Sequence, residues 1–87
     1  MARIFIPPAL RPLTDGRTEV KVTAATVREA IDQLEAAYPG TKAQLCKDGH
    51  LRPGLMVAVD SSVASSGLRH PLKPDSEVHF LPAIGGG

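Results

Sequence analysis

The residues that invite a chemical reading stand at the end of the chain, where Gly85, Gly86 and Gly87 follow Ala83 and Ile84. Folding gives no reason for such a run, because glycine loses the most conformational freedom on ordering and adds nothing to packing. A frayed end, or a remnant of processing, is one account of it. The other is chemical. A carboxylate that another protein must reach and activate gains from neighbours without side chains, which leave the carbonyl carbon unhindered and let the backbone adopt whatever geometry a narrow channel imposes. Pro82 would stiffen the exit and make the tail project.

Other candidates are weaker. Cys46 is the single cysteine, with no CxxC spacing and no partner in sequence, and reads as an inert thiol in a short helical turn. His50, His70 and His79 are far apart and lack metal-ligand spacing. The carboxylates fall on turns and helix faces, where they cap and solubilise. The glycines form no phosphate loop, since they do not stand between a strand and a helix.

The elements that must position the tail are legible in the remaining residues. At 87 residues, with 43% apolar side chains, the chain makes one domain with one modest core. That core rests on Val, Ile, Leu and Ala, since the aromatics are Phe5, Tyr38 and Phe80 alone. A net charge of +1 gives no general attraction to nucleic acid or anionic membrane. No apolar run approaches membrane-spanning length, and Pro7-Pro8 cuts short the apolar start before it could serve as a signal-peptide core. The expected location is the cytoplasm.

Alternation predicts a first strand over residues 2–6, with Ile4 and Ile6 on one face and Arg3 and Phe5 on the other. Pro7, Pro8 and Pro12 prevent regular pairing beyond it. A second half-buried strand over 17–22, antiparallel to the first, follows the Asp15-Gly16 turn. Thr26-Val27-Arg28-Glu29 fits a capping box, and Val27, Ile31, Leu34 and Tyr38 recur at helical spacing until Pro39-Gly40. A short helical turn over 41–48 would turn Leu45 inward, and Asp48-Gly49 turns the chain. Leu55 to Val59 is a continuous apolar strand, buried on both faces or lying under the helix. Residues 63–76 read as irregular, plugged by Leu68 and Leu72. A last strand over 77–81 has Val78 and Phe80 on one face and Glu77, His79 and Leu81 on the other, with Pro82 ending it. The order predicts an α+β domain, a mixed sheet of four or five strands with one main helix on one face, over residues 1–82. Residues 83–87 are expected to form a flexible tail.

The chain is similar to the ThiS/MoaD family of ubiquitin-like sulfur carriers. The resemblance is carried by Leu72-Lys73-Pro74-Asp75-Ser76-Glu77-Val78, Phe80-Leu81-Pro82-Ala83-Ile84 and Gly86-Gly87, and upstream by Thr26-Val27, Leu34, Tyr38-Pro39, Asp48-Gly49 and Val57-Ala58-Val59. A narrower likeness, over residues 6–16 and 34–40, points to the CysO-type carriers, which deliver sulfur to a pyridoxal-phosphate cysteine synthase. Two departures are Gly85, where the family usually has another residue, and Asp60, where many members have Asn.

The resemblance implies a β-grasp fold with the first and last strands side by side in the sheet centre. It implies that Gly87 is adenylated by a ubiquitin-activating-like adenylyltransferase using ATP, then converted to a thiocarboxylate. The carrier itself would bind no cofactor and bring no catalytic group. Ile84, Gly85 and Gly86 would enter the partner's site, and Phe5, Leu81 and Pro82 would dock it, with Arg3, Arg11 and Arg17 as candidate rim contacts. The alternative for each surface residue is ordinary scatter of exposed side chains. The implied partners are the activating enzyme, a cysteine synthase as sulfur acceptor, and a metalloprotease for tail processing or product release. Delivery to molybdopterin, thiamin or thio-metabolite synthesis stays open, as do a ubiquitin-like modifier that joins Gly87 to lysines and an interaction module with an idle tail.

Overall fold

The computed structural model describes residues 1–82. Strand β1 (Ala2–Phe5) alternates as its sequence dictates, with Ala2 and Ile4 buried and Arg3 and Phe5 half-buried on the other side. The proline-rich stretch after it coils into a 3₁₀ turn, Pro8–Thr14. Thr14 is fully buried there, and its hydroxyl is within bonding distance of the Arg11 and Arg17 carbonyls. Strand β2 (Glu19–Val22) returns antiparallel to β1, placing Val20 opposite Ile4 and Val22 opposite Ala2.

Helix α1 (Val27–Ala37) begins as a capping box shifted by one residue. The Thr26 hydroxyl accepts from the Glu29 amide at 3.2 Å, and the Glu29 carboxylate accepts from the Ala25 amide rather than that of Thr26. Val27, Ala30, Ile31 and Leu34 form its buried stripe, and Tyr38 caps the end half-buried. Gly40 follows at φ +100°, a conformation that costs any other residue strain. The Glu35 carboxylate then accepts from the amides of Gly40 and Lys42, holding the start of helix α2 (Thr41–Leu45).

Here the structure departs from the expected helical turn over 41–48. Leu45 is buried as expected, but α2 stops there. Cys46 is extended and starts strand β3 (Cys46–Lys47), which pairs with β4 (His50–Leu51). Asp48 and Gly49 both have positive φ, 53° and 78°, and this pair closes a two-residue hairpin that a helix cannot continue through.

Strand β5 (Leu55–Val59) buries Val57, Ala58 and Val59 and leaves Leu55 and Met56 half-buried. A second two-residue turn, Asp60-Ser61, with φ 51° and 72°, leads into β6 (Ser62–Val63). The stretch expected to be irregular therefore opens with a short edge strand and contains a 3₁₀ turn, Gly67–Arg69. Leu68 and Leu72 pack against the core as plugs. Strand β7 (Glu77–Pro82) is one residue longer than expected. Pro82 has no amide hydrogen to donate, yet it keeps register opposite Leu55, because an unpaired amide position at a strand end suits proline.

Among the described residues the main sheet has five strands in the order β2-β1-β7-β5-β6. The central pair, β1 and β7, is parallel, with Ile4 opposite Val78, and the other pairs are antiparallel. One face packs Ile4, Val57, Val78 and Phe80 into a single core with the α1 stripe and Leu45. Among the described residues nothing packs over the other face.

Asp60 locks the start of β7. Its carboxylate accepts from the Glu77 amide at 2.9 Å and from the Ser76 hydroxyl at 3.0 Å. Those two bonds, the amide first, hold the carboxyl below the usual carboxylate range. A depressed folded value means that the stabilisation is fully present above the unfolded value, about pH 4, and is lost as pH falls through the folded one. Thermal melts of wild type and Asp60→Asn should therefore differ most above pH 4 and converge in stronger acid. A difference independent of pH would show that this carboxylate does not act through its charge.

Candidate functional site

The open face is built by alternation. The residues that point away from the core on each strand line up across the sheet as register requires. One row runs Lys21, Arg3, Glu77, and the next runs Glu19, Phe5, His79, Ala58, Val63. The third is Leu81 beside Met56, at the end of β7 from which the chain continues toward residue 83.

The first row is charged and paired. The Arg3 guanidinium donates to the Glu77 carboxylate and lies 3.9 Å from Glu19. These are half-exposed pairs, worth at most about 1 kcal/mol each, so they set orientation more than stability. The second row is aromatic at its centre. The Phe5 and His79 rings are stacked, with centroids 4.3 Å apart and planes 4° from parallel. The Arg3 guanidinium carbon is 5.6 Å from the Phe5 ring centre. The apolar part then extends over Ala58 to Val63, which is 58% exposed, and along β7 to Leu81, which is 42% exposed.

Phe5 and Leu81 thus share the open face, but not as a pair. Phe5 is opposite His79, and Leu81 lies one same-face step farther toward the strand end, next to Met56. Pro82 is in the strand beyond it. Ile84, Gly85, Gly86 and Gly87 lie outside the described residues. Of the candidate rim cations, Arg3 is engaged by Glu77. Arg11 donates its Nε–H to the Ile6 carbonyl at 3.3 Å, and Arg17 is exposed.

His79 and Met56 join this face without a motif that marks them, since His79 lacks metal-ligand spacing and Met56 stands in a continuous apolar run. The signal for both was available. His79 has the parity of Leu81 in its strand, and Met56 has the opposite parity to Val57.

A groove of about 390 Å³ opens on the helix side, lined in part by Arg28, Asp32, Lys42, Cys46 and Leu68. Lys42 is paired there with Asp32 at 2.6 Å. Burial pushes the Cys46 thiol up, away from the reactive thiolate, which agrees with an inert cysteine even though its local structure is strand. Among the described residues no group of three His, Cys, Asp or Glu side chains is placed to hold a metal ion, and no helix is long and apolar enough to cross a membrane.

Comparison with known proteins places this geometry. The model of the ThiS family matches residues 4–87. The sulfur carrier protein CysO of Mycobacterium tuberculosis is 34% identical over 89 residues, covering 97% of this chain and 96% of the relative. The crystal structure of the Amycolatopsis orientalis BexX/CysO complex contains a chain with a TM-score of 0.91 and 35% identity, each chain covered completely. The solution structure of small archaeal modifier protein 1 from Methanosarcina acetivorans shares the fold, with a TM-score of 0.80 at 21% identity over 99% of this chain and 95% of that one.

Proposed function

The chain belongs to the ThiS family, and from that premise we propose that it is loaded with sulfur at Gly87 and delivers it to biosynthesis, of cysteine in the first place. It is a ubiquitin-like sulfur carrier of the CysO type with a β-grasp fold, and partner enzymes act on it. The carrier acts as a protein cosubstrate and not as a catalyst. A ubiquitin-activating-like adenylyltransferase binds the open face, and the Ile84-Gly85-Gly86-Gly87 tail enters its ATP site. A carboxylate oxygen of Gly87 attacks the α-phosphorus, pyrophosphate leaves, and an acyl-adenylate remains. Sulfur at the sulfide level, as hydrosulfide, then attacks the acyl carbon, AMP departs with its oxygen, and the product is a thiocarboxylate. Positioning and charge stabilisation come from the partner. The carrier binds no cofactor of its own in this scheme; ATP is the activating enzyme's substrate.

The observation that carries the reading is the sheet order. It sets β1 and β7 side by side, so Phe5, His79, Met56 and Leu81 gather on one face that leads to the start of the tail. Residues 1–82 are the docking body and 83–87 the working segment. A pyridoxal-phosphate cysteine synthase is the proposed sulfur acceptor, followed by a metalloprotease that releases the product or trims the tail. The narrower likeness over residues 6–16 and the kinship with CysO proteins support cysteine over molybdopterin or thiamin as the destination.

Intact mass spectrometry of the protein from its own cell tests this directly. The expected species is heavier by the difference between sulfur and oxygen, located on the last residue. Conjugates through lysine would instead mark a protein modifier, and an unmodified chain recovered beside a functional activating enzyme would refute loading.

A further inference from the structure

At the centre of the open face, a titratable ring stands among apolar ones. His79 stacks on Phe5, is flanked by Ala58 on β5, and has Leu81 and Glu77 on either side along its own strand. We propose that His79 is a positioning residue for docking: its neutral imidazole holds the Phe5 ring in a face-to-face stack that is presented to an apolar patch of the activating enzyme, and protonation opposes that contact. This rests on docking through the open face, and it goes beyond it by naming the group that makes docking sensitive to protons.

The charges around the imidazole define the expected sign. On β7 the Glu77 carboxylate is 3.9 Å from His79 Nε2, but its other oxygen takes the Arg3 guanidinium. On β1 Arg3 also lies near the Phe5 ring, and on β2 Glu19 faces Arg3 at 3.9 Å. β5 contributes Met56 and Ala58, and β6 contributes Val63, none of them charged. In the free carrier an imidazolium would be tolerated: it is half-exposed, stacked on an aromatic face, and near a carboxylate. Covering the face with an apolar partner patch removes water from that ring, and a charge then costs far more to bury than a neutral imidazole. Imidazole is the side chain that changes charge between about pH 5 and 8, so the penalty falls within an accessible range.

The test is the affinity of the full chain for its activating enzyme without ATP, measured calorimetrically at about pH 7.5 and pH 5.5. Wild type is expected to bind roughly tenfold more weakly at the lower pH. His79→Phe keeps a ring against Phe5 but cannot be protonated, so whatever its affinity at the higher pH it should lose the extra slope. His79→Gln should bind weakly at both. The slope difference between wild type and His79→Phe removes titrating groups that belong to the enzyme. An identical slope in the two, or tightening in acid, would overturn the proposal. In the free carrier, the Phe5 ring resonances should move with the His79 titration, and their failure to move would overturn it without any partner. Leu81→Asp separates the two levels of inference. Unchanged binding by that variant would sink the docking face itself, whereas a shared slope sinks only the role of His79.

Discussion

Deletion of Gly87 is expected to abolish adenylation, a loss well beyond about a hundredfold, while leaving the fold and its melting temperature unchanged. Removing one residue withdraws the carboxylate by about 3.4 Å along an extended chain. In-line attack on a phosphorus needs the reacting atoms within about 3–3.5 Å, and misplacement by a single ångström can cost a hundredfold. Stability should not respond, because the capping box, the core cluster and the sheet pairs of the described residues already hold the domain together. ATP–pyrophosphate exchange by the activating enzyme and a thermal melt make the two measurements. A truncated chain that still supports exchange would end the assignment of Gly87 as the loading point.

The converse effect is expected from Leu34→Ala. Leu34 is fully buried, on the face of α1 that packs into the core with Ile4, Val78 and Phe80. Losing its side chain removes transfer energy and leaves a cavity, at a cost of about 2.7–5 kcal/mol in comparable sites. Small domains have about 5–15 kcal/mol in total. The melting temperature should therefore fall by more than about 10 °C, with adenylation retained at temperatures where the variant is folded. A loss under about 1 kcal/mol in urea titration would mean that the helix is not seated as described. The two variants together divide the molecule into a body that folds and an end that reacts.

How far the sequence alone reveals this division depends on the local signal at each place. Helix α1 was legible because capping, periodicity and a Pro-Gly stop all agree over a dozen residues. The central β1–β7 pairing was not written in any local pattern. Strands more than seventy residues apart pair through long-range register, and only the family resemblance anticipated it. The β3–β4 hairpin was missed because Thr41 to Leu45 does form helix and nothing apolar marks two-residue strands. Asp48-Gly49 was recognised as a turn, yet its tight hairpin geometry needs positive φ at both residues, which composition does not announce. On the candidate site, alternation placed Phe5, His79 and Leu81 on one face correctly. What alternation cannot supply is neighbourhood. The stack of Phe5 on His79, rather than contact between Phe5 and Leu81, follows from the cross-strand register.

That register also sets a limit on traffic. Pro82 is still paired with Leu55, so the leash from the sheet to the acyl group of Gly87 is five residues long, about 17 Å when taut. The catalytic centre of any enzyme that handles the cargo must come that close to the same strand end. On the proposed function the loader and the consumer could not both do so together, and each delivery would begin with the departure of the enzyme that filled the carrier.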